Sequence, residues 1–500
     1  MADPPDPQVL PADGEEAPAD HASGARPAGS RRLVPALLVL ATLFALAIVA
    51  AAWLRTGPVA PSQRASSGAP RIALFDPRQG LAIEDGAGRR TILAAPPDTN
   101  FGFPAWSPDG TRIAVVNNGD DGPMISVYAV PPVGSAASVA ASGAPAGPSP
   151  SPVVVYRNAD VPPFYVYWTP DGRRVSFLAT ETNGLSLRVA PADGSGPLDG
   201  SGPGALIRRG APLYFDWIDD AHLLLHVGNG AGSFAGETGP DGTVNGPALD
   251  GPGDFRSAVI SADRTTTAWV RGTVPSAEVV LAARDGSNPH TVPVFGPAAI
   301  VFDPTSNRIA TIAAADAASA IADPFPFPLG PLRLLDPATG ALRTLLDGRV
   351  VGFFWSPDGK TIAALRLQPA AGSTEAVAPI GEAAARVGAT APEPDAAAPS
   401  ASPSPGPSDR GEIEIHLVFV DVVSGAVRSE RTVRLTSNFL NQFLPYFDQY
   451  ALSHRLWASD SSALLLPIVD ATGESVLAVL PPDGGPSPRT TPAVNGFWSP

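Results

Sequence analysis

One short pattern recurs along this chain and constrains its fold more than any other feature. FPAWSPDGTRIAVV begins at Phe103, YVYWTPDGRRVSFLA at Tyr165 and VGFFWSPDGKTIAAL at Val351. Weaker copies begin at Tyr214, Ser257, Ala298 and Ser453, and GFWSP ends at Pro500. Taking the Trp, or the residue in its place, as marker gives Trp106, Trp168, Trp217, Ile260, Phe302, Trp355, Trp457 and Trp498. Their spacings are 62, 49, 43, 42, 53, 102 and 41 residues. The base interval of about 41–43 residues is the length of one four-stranded propeller blade, and the longer intervals carry insertions.

The pattern has a local mechanism. Ser-Pro-Asp-Gly suits a tight turn: Pro presets φ, Asp bonds nearby backbone, and Gly takes the left-handed position. Alternating apolar residues follow, such as Ile113 and Val115 or Val175 and Phe177, which is strand periodicity. Asp109, Asp171 and Asp358 therefore read as turn-makers. The weaker copies lack the Gly or the Pro, so their turns are expected to differ. These motifs resemble the TolB-like propeller repeat, a WSPDG-type relative of WD repeats, over roughly residues 71–500. The resemblance implies an all-β propeller and a protein-interaction role in the bacterial envelope. Prolyl-oligopeptidase-type enzymes carry similar repeats, so it bears on fold more than on function.

The repeat also predicts how the ring closes. With strands A to D running from inner to outer, 496–500 supplies a strand A, while 71–75, 80–84 and 90–93 supply B, C and D. One blade is then shared between the two ends of the sequence, leaving no open sheet edge. The expected count is eight four-stranded blades, with seven as the alternative. The weakest is the blade after Trp217, because 228–253 has few strand formers. A–B and C–D turns share one face; B–C and D–A loops share the other.

Ahead of the repeats, residues 1–32 form an acidic Pro/Ala-rich tail expected to be disordered. Residues 33–54 carry no charge between Arg32 and Arg55. As a helix they would span about 33 Å, enough for a single transmembrane signal anchor. The run is too long for an ordinary signal-peptide core, although a cleaved signal peptide is the competing reading. Arginines on both sides favour a cytoplasmic amino terminus weakly, which would place the propeller outside the cytoplasm, in periplasm or extracellular space. A linker at 55–70 joins the two, so the A–B face would look toward the membrane. Tracts near 131–152 and 368–410, rich in Ala, Pro and Ser, read as disordered insertions.

The remaining composition narrows function. The formal charge of -15 lacks the basic stripe a nucleic-acid binder needs. Cysteine is absent, which removes disulfides and thiolate chemistry. No Walker A loop, G-x-S-x-G elbow or H-E-x-x-H occurs. His222 and His226 lie on a strand pattern, some 13 Å apart, too far to share one metal. No catalytic, cofactor or metal residues are assigned.

One connection stands out, at 436–457, TSNFLNQFLPYFDQYALSHRLW. It is a D–A connection on the face away from the membrane, here called distal. Two readings remain open: a short helix plugging the ring, or a recognition surface. The recognition candidates are Phe439, Gln442, Phe443, Tyr446, Phe447, Asp448, Gln449, Tyr450 and His454, with Pro445 expected to break any helix and free the polar groups to point outward. The expected function is a non-enzymatic module of the cell envelope that binds a protein, peptide or ligand, tethered to the membrane through 33–54, with an envelope protein or peptide as the expected partner and no cofactor. The alternatives are a propeller-based hydrolase or lyase with its site at the channel mouth, and a transmembrane sensor with an acidic cytoplasmic tail.

Overall fold

The computed structural model describes residues 69–94, 101–119, 122–132, 151–202, 205–228, 234–249, 258–322, 327–369, 413–485 and 489–500. The tail at 1–32, the expected membrane segment at 33–54 and nearly all of the 55–70 linker lie outside the described residues. So do the bodies of the insertions near 131–152 and 368–410. Among the described residues, no helix is long and apolar enough to cross a membrane.

The described strands pair into seven antiparallel sheets. Four are four-stranded and sequential, running from Ala105–Trp106 to Val153–Arg157, Pro163–Trp168 to Leu206–Gly210, Leu213–Asp219 to Val244–Ala248, and Val259–Ile260 to His290–Phe295. A seven-stranded sheet from Ala299–Phe302 to Val427–Val433 contains two such sets. They share Leu342–Trp355, a 14-residue strand that is outermost in one set and innermost in the next. A three-stranded sheet, Leu464–Val469, Ser475–Leu480 and Arg489–Pro492, gains an inner edge through a bridge between Trp457 and Leu464. The result is a propeller-like all-β fold. The segment with few strand formers still supplies Phe234–Thr238 and Val244–Ala248, paired irregularly around Gly236 and Thr238.

The last sheet is the one shared between distant parts of the chain: Arg90–Ala94, Gly80–Glu84, Ile72–Asp76 and then Asn495–Trp498. Its register pairs Ile72 with Trp498 and Phe75 with Asn495. The join repeats the geometry of an uninterrupted hairpin. In the copy at Trp106, Arg112 N donates to Ser107 Oγ and Ser107 N to Arg112 O, both at 2.9 Å. At the join Arg71 N donates to Ser499 Oγ at 3.2 Å and Ser499 N to Arg71 O at 2.8 Å. Arg71 thus stands where Arg112 stands, although the two partners come from opposite regions of the sequence. A second tie lies further out. Buried Glu84 accepts from Arg90, Arg489 and Thr491, so Gly80–Glu84 is held to Arg489–Pro492 of the neighbouring sheet.

Four of the marker Trp residues join one strand set to the next. Trp106 Nε1 donates to Phe497 O, Trp168 Nε1 to Ala105 O, Trp355 Nε1 to Val301 O and Trp457 Nε1 to Phe354 O, at 2.9–3.3 Å. Each acceptor lies on the inner strand of the preceding set. A ring large enough to fill the wedge between two twisted sheets thereby also satisfies a carbonyl on an unpaired inner edge. Arg71, Arg112 and Arg174 stack over Trp106, Trp168 and Trp217, with the guanidinium carbon 4.8–5.9 Å from the ring centre.

The turns behave as their sequence requires, with one correction. Ser107, Ser356 and Thr169 donate to Asp109, Asp358 and Asp171 at 2.6 Å, and each carboxylate also accepts a backbone N–H two residues on. Gly110, Gly172 and Gly359 all have φ of 67°. The weaker copies at Ser261 and Ala458 do not form different turns, however. Arg264 and Ser461 occupy the glycine position with φ of 63° and close the same backbone hydrogen bond, at 2.9 Å. The flanking strand register fixes the hairpin there, at a left-handed cost of about 1–2 kcal/mol per residue.

Candidate functional site

Between the outer strand Val427–Val433 and Trp457 the chain leaves the sheets and fills the space between inner strands. Phe439–Phe443 forms one wide π-type turn, Leu444–Tyr446 a 3-10 turn, and Phe447–Ser453 a short α-helix. Pro445 does not break this run. It occupies the first turn of the 3-10 segment, where its missing N–H has no intrahelical partner to lose. The α-helix packs against Pro163–Trp168, Leu213–Asp219, Ala299–Phe302 and Leu342–Trp355, four inner strands from separate strand sets.

Aromatic rings form the body of this plug. Phe439 stacks on Phe443 at 4.8 Å, and Phe443 on Tyr450 at 5.0 Å. Phe103, Phe354 and Phe497 meet Phe443 from the wall, while Phe353 and Phe354 meet Phe447. Gly352 makes the approach of Leu444 and Phe447 feasible: a Cβ there would lie 2.7 Å from Leu444 Cδ1.

The candidate residues therefore divide. Phe439, Phe443, Phe447, Asp448, Gln449, Tyr450 and His454 are all buried. The expectation that Asp448, Gln449 and His454 would point outward fails, because inner strands offer unpaired backbone groups that draw polar side chains inward. Gln449 shows this directly. Its Oε1 accepts from Phe215 N at 2.9 Å, while its Nε2 donates to Phe215 O at 2.7 Å and to the Tyr165 hydroxyl at 3.0 Å. One carboxamide thus acts as a missing neighbour strand for Phe215. Only Gln442 and Tyr446 of the nine are exposed, Tyr446 at 38%. Phe327 meets Tyr446 edge-on at 6.1 Å, and Tyr214 lies beneath it at 6.4 Å.

A relay continues from Gln449. The Tyr165 hydroxyl is 2.8 Å from Ser453 Oγ, which is 2.7 Å from His454 Nδ1, and His454 Nε2 faces Phe103 O at 3.4 Å. The Phe103 carbonyl requires a proton on Nε2, so Nδ1 accepts from Ser453. Burial pushes His454 down to about 3, against the backbone hydrogen bonds, and lifts the Tyr165 and Tyr450 hydroxyls far above their usual range. A Ser–His contact can signal an activated hydroxyl, but a base titrating near 3 is too weak for that role at neutral pH. The relay satisfies buried groups instead.

Toward the face carrying the A–B turns, a second polar group appears that the sequence motifs did not single out. Tyr167 donates to Asp216 Oδ1 at 3.0 Å. Arg264 and Arg455 lie close enough to act electrostatically on Asp216 and Tyr167, respectively. The sequence did carry a signal. The residue before the marker is apolar in six copies (Ala105, Val259, Val301, Phe354, Leu456, Phe497) and polar only at Tyr167 and Asp216. His222 and His226 lie on strand His222–Val227 as the pattern required, with His222 Nδ1 2.7 Å from Asp219.

No family model and no curated protein matches this sequence. Among solved structures, TolB from Acinetobacter baumannii is similar at 17% identity, covering 56% of this chain and 63% of that one, with a TM-score of 0.32. This chain thus spans under two thirds of that protein's length. An oligogalacturonate lyase in complex with manganese aligns at 9% identity over 85% of this chain and 86% of its own, TM-score 0.39. Two prolyl endopeptidases are represented by an alignment at 11% identity over 80% of this chain and 50% of theirs, TM-score 0.45. These neighbours carry names of different kinds, and none assigns a function to this chain.

Proposed function

We propose that this chain is an eight-bladed β-propeller, closed by the shared sheet, that acts as a non-enzymatic binding module. In this reading residues 33–54 tether it to the membrane, the propeller is extracytoplasmic, and its partner is a protein or peptide of the cell envelope. The observation that supports binding over catalysis is the division within the plug. Its buried polar groups are spent on backbone and on one another, while Gln442 and Tyr446, which Phe327 meets edge-on, remain exposed. An exposed aromatic over a rigid, buried base is the kind of anchor that binding surfaces use.

The test pairs two measurements on the full chain. Tyr446→Ala with Gln442→Ala should leave the thermal melt within about 1 °C, as surface changes do, and should remove specific species cross-linked from an envelope fraction. Unaltered cross-linking by a variant that melts normally contradicts the assignment. The tether and sidedness are tested separately. A reporter active only outside the cytoplasm, fused after Pro500, should be active; activity of a cytoplasm-only reporter reverses the orientation.

A further inference from the structure

A groove of about 610 Å³ runs between two neighbouring strand sets, among their A–B and C–D turns. One bank belongs to the set from Val259–Ile260 to His290–Phe295, the other to the set that begins at Ala299–Phe302. Two hydrogen bonds tie the banks together. Asn307 Nδ2 donates to Asp263 Oδ2 at 3.1 Å, and His290 Nε2 donates to Pro337 O at 2.8 Å. Leu281, Ala282, Ala283, Pro337 and Ala338 give the groove apolar walls.

The polar atoms left over along these banks are mostly acceptors. The Pro337 carbonyl requires the His290 proton on Nε2, so in the neutral ring Nδ1 accepts. Asn307 spends its amide nitrogen on Asp263 and keeps Oδ1. Asp336 takes Ala338 N on Oδ1 at 2.9 Å and keeps Oδ2. It is exposed and makes no ion pair among the described residues. Arg308 stands beside it, one step beyond the Ile309–Leu335 pair. That guanidinium turns inward instead, to Asp303 Oδ2 at 2.5 Å, and Asp303 is fully buried. The arginine charge is thereby neutralised, and the Asp336 charge is not.

The next two sets are built differently at this point. Where His290 opens the outermost strand, they carry Arg343 and Arg428 near the start of theirs. Arg343 Nη2 donates to Val422 O, and Arg428 Nε donates to Asp483 Oδ1 at 2.8 Å. A histidine in place of arginine removes the cation and adds an acceptor.

We propose that this groove binds a small aliphatic primary amine as its ammonium. The three N–H donors of an ammonium match in number Asp336 Oδ2, His290 Nδ1 and Asn307 Oδ1. The bond to the carboxylate is charge-assisted, and the apolar walls cover the methylene stem. The volume falls within the range of about 300–1,000 Å³ found for small-molecule sites. The groove lies among the turns, not among the connections that carry Tyr446, and stands independently of the function proposed for that rim.

The experiment is calorimetric titration of the full chain with n-butylammonium chloride at low ionic strength. Two further probes separate charge from donors: tetramethylammonium has the charge without an N–H, and butanol has the stem without the charge. n-Butylammonium should saturate at one per chain, and the other two should bind at least about tenfold more weakly, the worth of a charged hydrogen bond. Asp336→Asn keeps an acceptor for Ala338 N, so the turn survives, and should weaken n-butylammonium by about tenfold or more. Ala338→Phe, at an exposed position on the rim, should block the groove while leaving Asp336 in place. Asp241→Asn removes an exposed carboxylate from a comparable turn elsewhere and should leave the affinity unchanged. Uptake that does not saturate, equal binding of tetramethylammonium, or full affinity in the Asp336→Asn or Ala338→Phe chain would each overturn the proposal. So would an Asp241→Asn loss as large as that of Asp336→Asn, which would mean that only net charge is being read.

Discussion

Replacing Gln449 with Leu tests whether the segment between the last two strand sets is built into the fold. The substitution keeps the apolar bulk and removes the carboxamide. Phe215 N–H loses its 2.9 Å acceptor and Phe215 C=O its 2.7 Å donor, while Tyr165 keeps Ser453. Gln449 and Phe215 are 3% and 1% exposed, so water cannot replace either partner without opening the site. An unsatisfied buried group costs about 1–3 kcal/mol, and two such groups make the expected loss about 2–6 kcal/mol. That is a large share of the 5–15 kcal/mol typical of whole proteins. Urea unfolding followed by tryptophan fluorescence would report it, since Trp457 immediately follows the plug. Gln449→Glu provides the control. Its carboxylate opposes Phe215 O at neutral pH, whereas its protonated form can donate there. The Glu chain should therefore gain stability relative to wild type as pH falls toward the ordinary glutamate range. A Gln449→Leu chain that unfolds at the wild-type urea concentration would refute the strand-edge role.

Three other outcomes follow from the same packing. His454 is held near 3 in the folded chain against 6.5 for an exposed histidine, so it stays neutral where the unfolded chain takes up a proton. Its contribution is full above pH 6.5 and is lost as pH falls toward 3, with a slope of up to about 1.4 kcal/mol per pH unit; His454→Gln should flatten that part of the pH–stability curve. Deleting residues 495–500 removes Asn495–Trp498, bares the edge of Ile72–Asp76 and takes away the carbonyl that accepts from Trp106. A loss of several kcal/mol with aggregation should appear by light scattering during a thermal ramp. Gly359→Ala sets a Cβ at φ of +67° and 2.4–2.5 Å from Thr305 Oγ1 and Asp303 Oδ1, and should cost about 1–3 kcal/mol in a urea titration.

The parts of this fold legible in the sequence are those governed by local chemistry. Ser-Pro-Asp-Gly specifies a turn through interactions within five residues, so the roles of Asp109, Asp171 and Asp358 can be read from the motif alone. The shared sheet was legible because the cut motif at Trp498 needs the strand that begins near Arg71. Orientation of the plug was not. A run of aromatics and amides has the same composition whether its rings face solvent or inner strands, and the unpaired edge at Phe215 that attracts Gln449 belongs to a distant repeat. The turns at Arg264 and Ser461 misled for a related reason: their sequence departs from the glycine rule, but the register of the flanking strands overrides it. Tyr167 and Asp216 are separate in sequence and meet only once inner strands converge. Their sole linear trace is polarity at two positions where the other copies are apolar.

Whether residues 439–454 are a fixed plug or a lid can be measured directly by hydrogen exchange on the intact chain. The account predicts that amides of Phe447 to His454 exchange as slowly as those of the inner strand Leu213–Asp219, because Gln449 ties the two together and both open only on global unfolding. Exchange of the 447–454 amides within seconds, while Leu213–Asp219 stays protected, would mean that the segment opens on its own and that the channel, not the rim around Tyr446, is the surface offered to a partner.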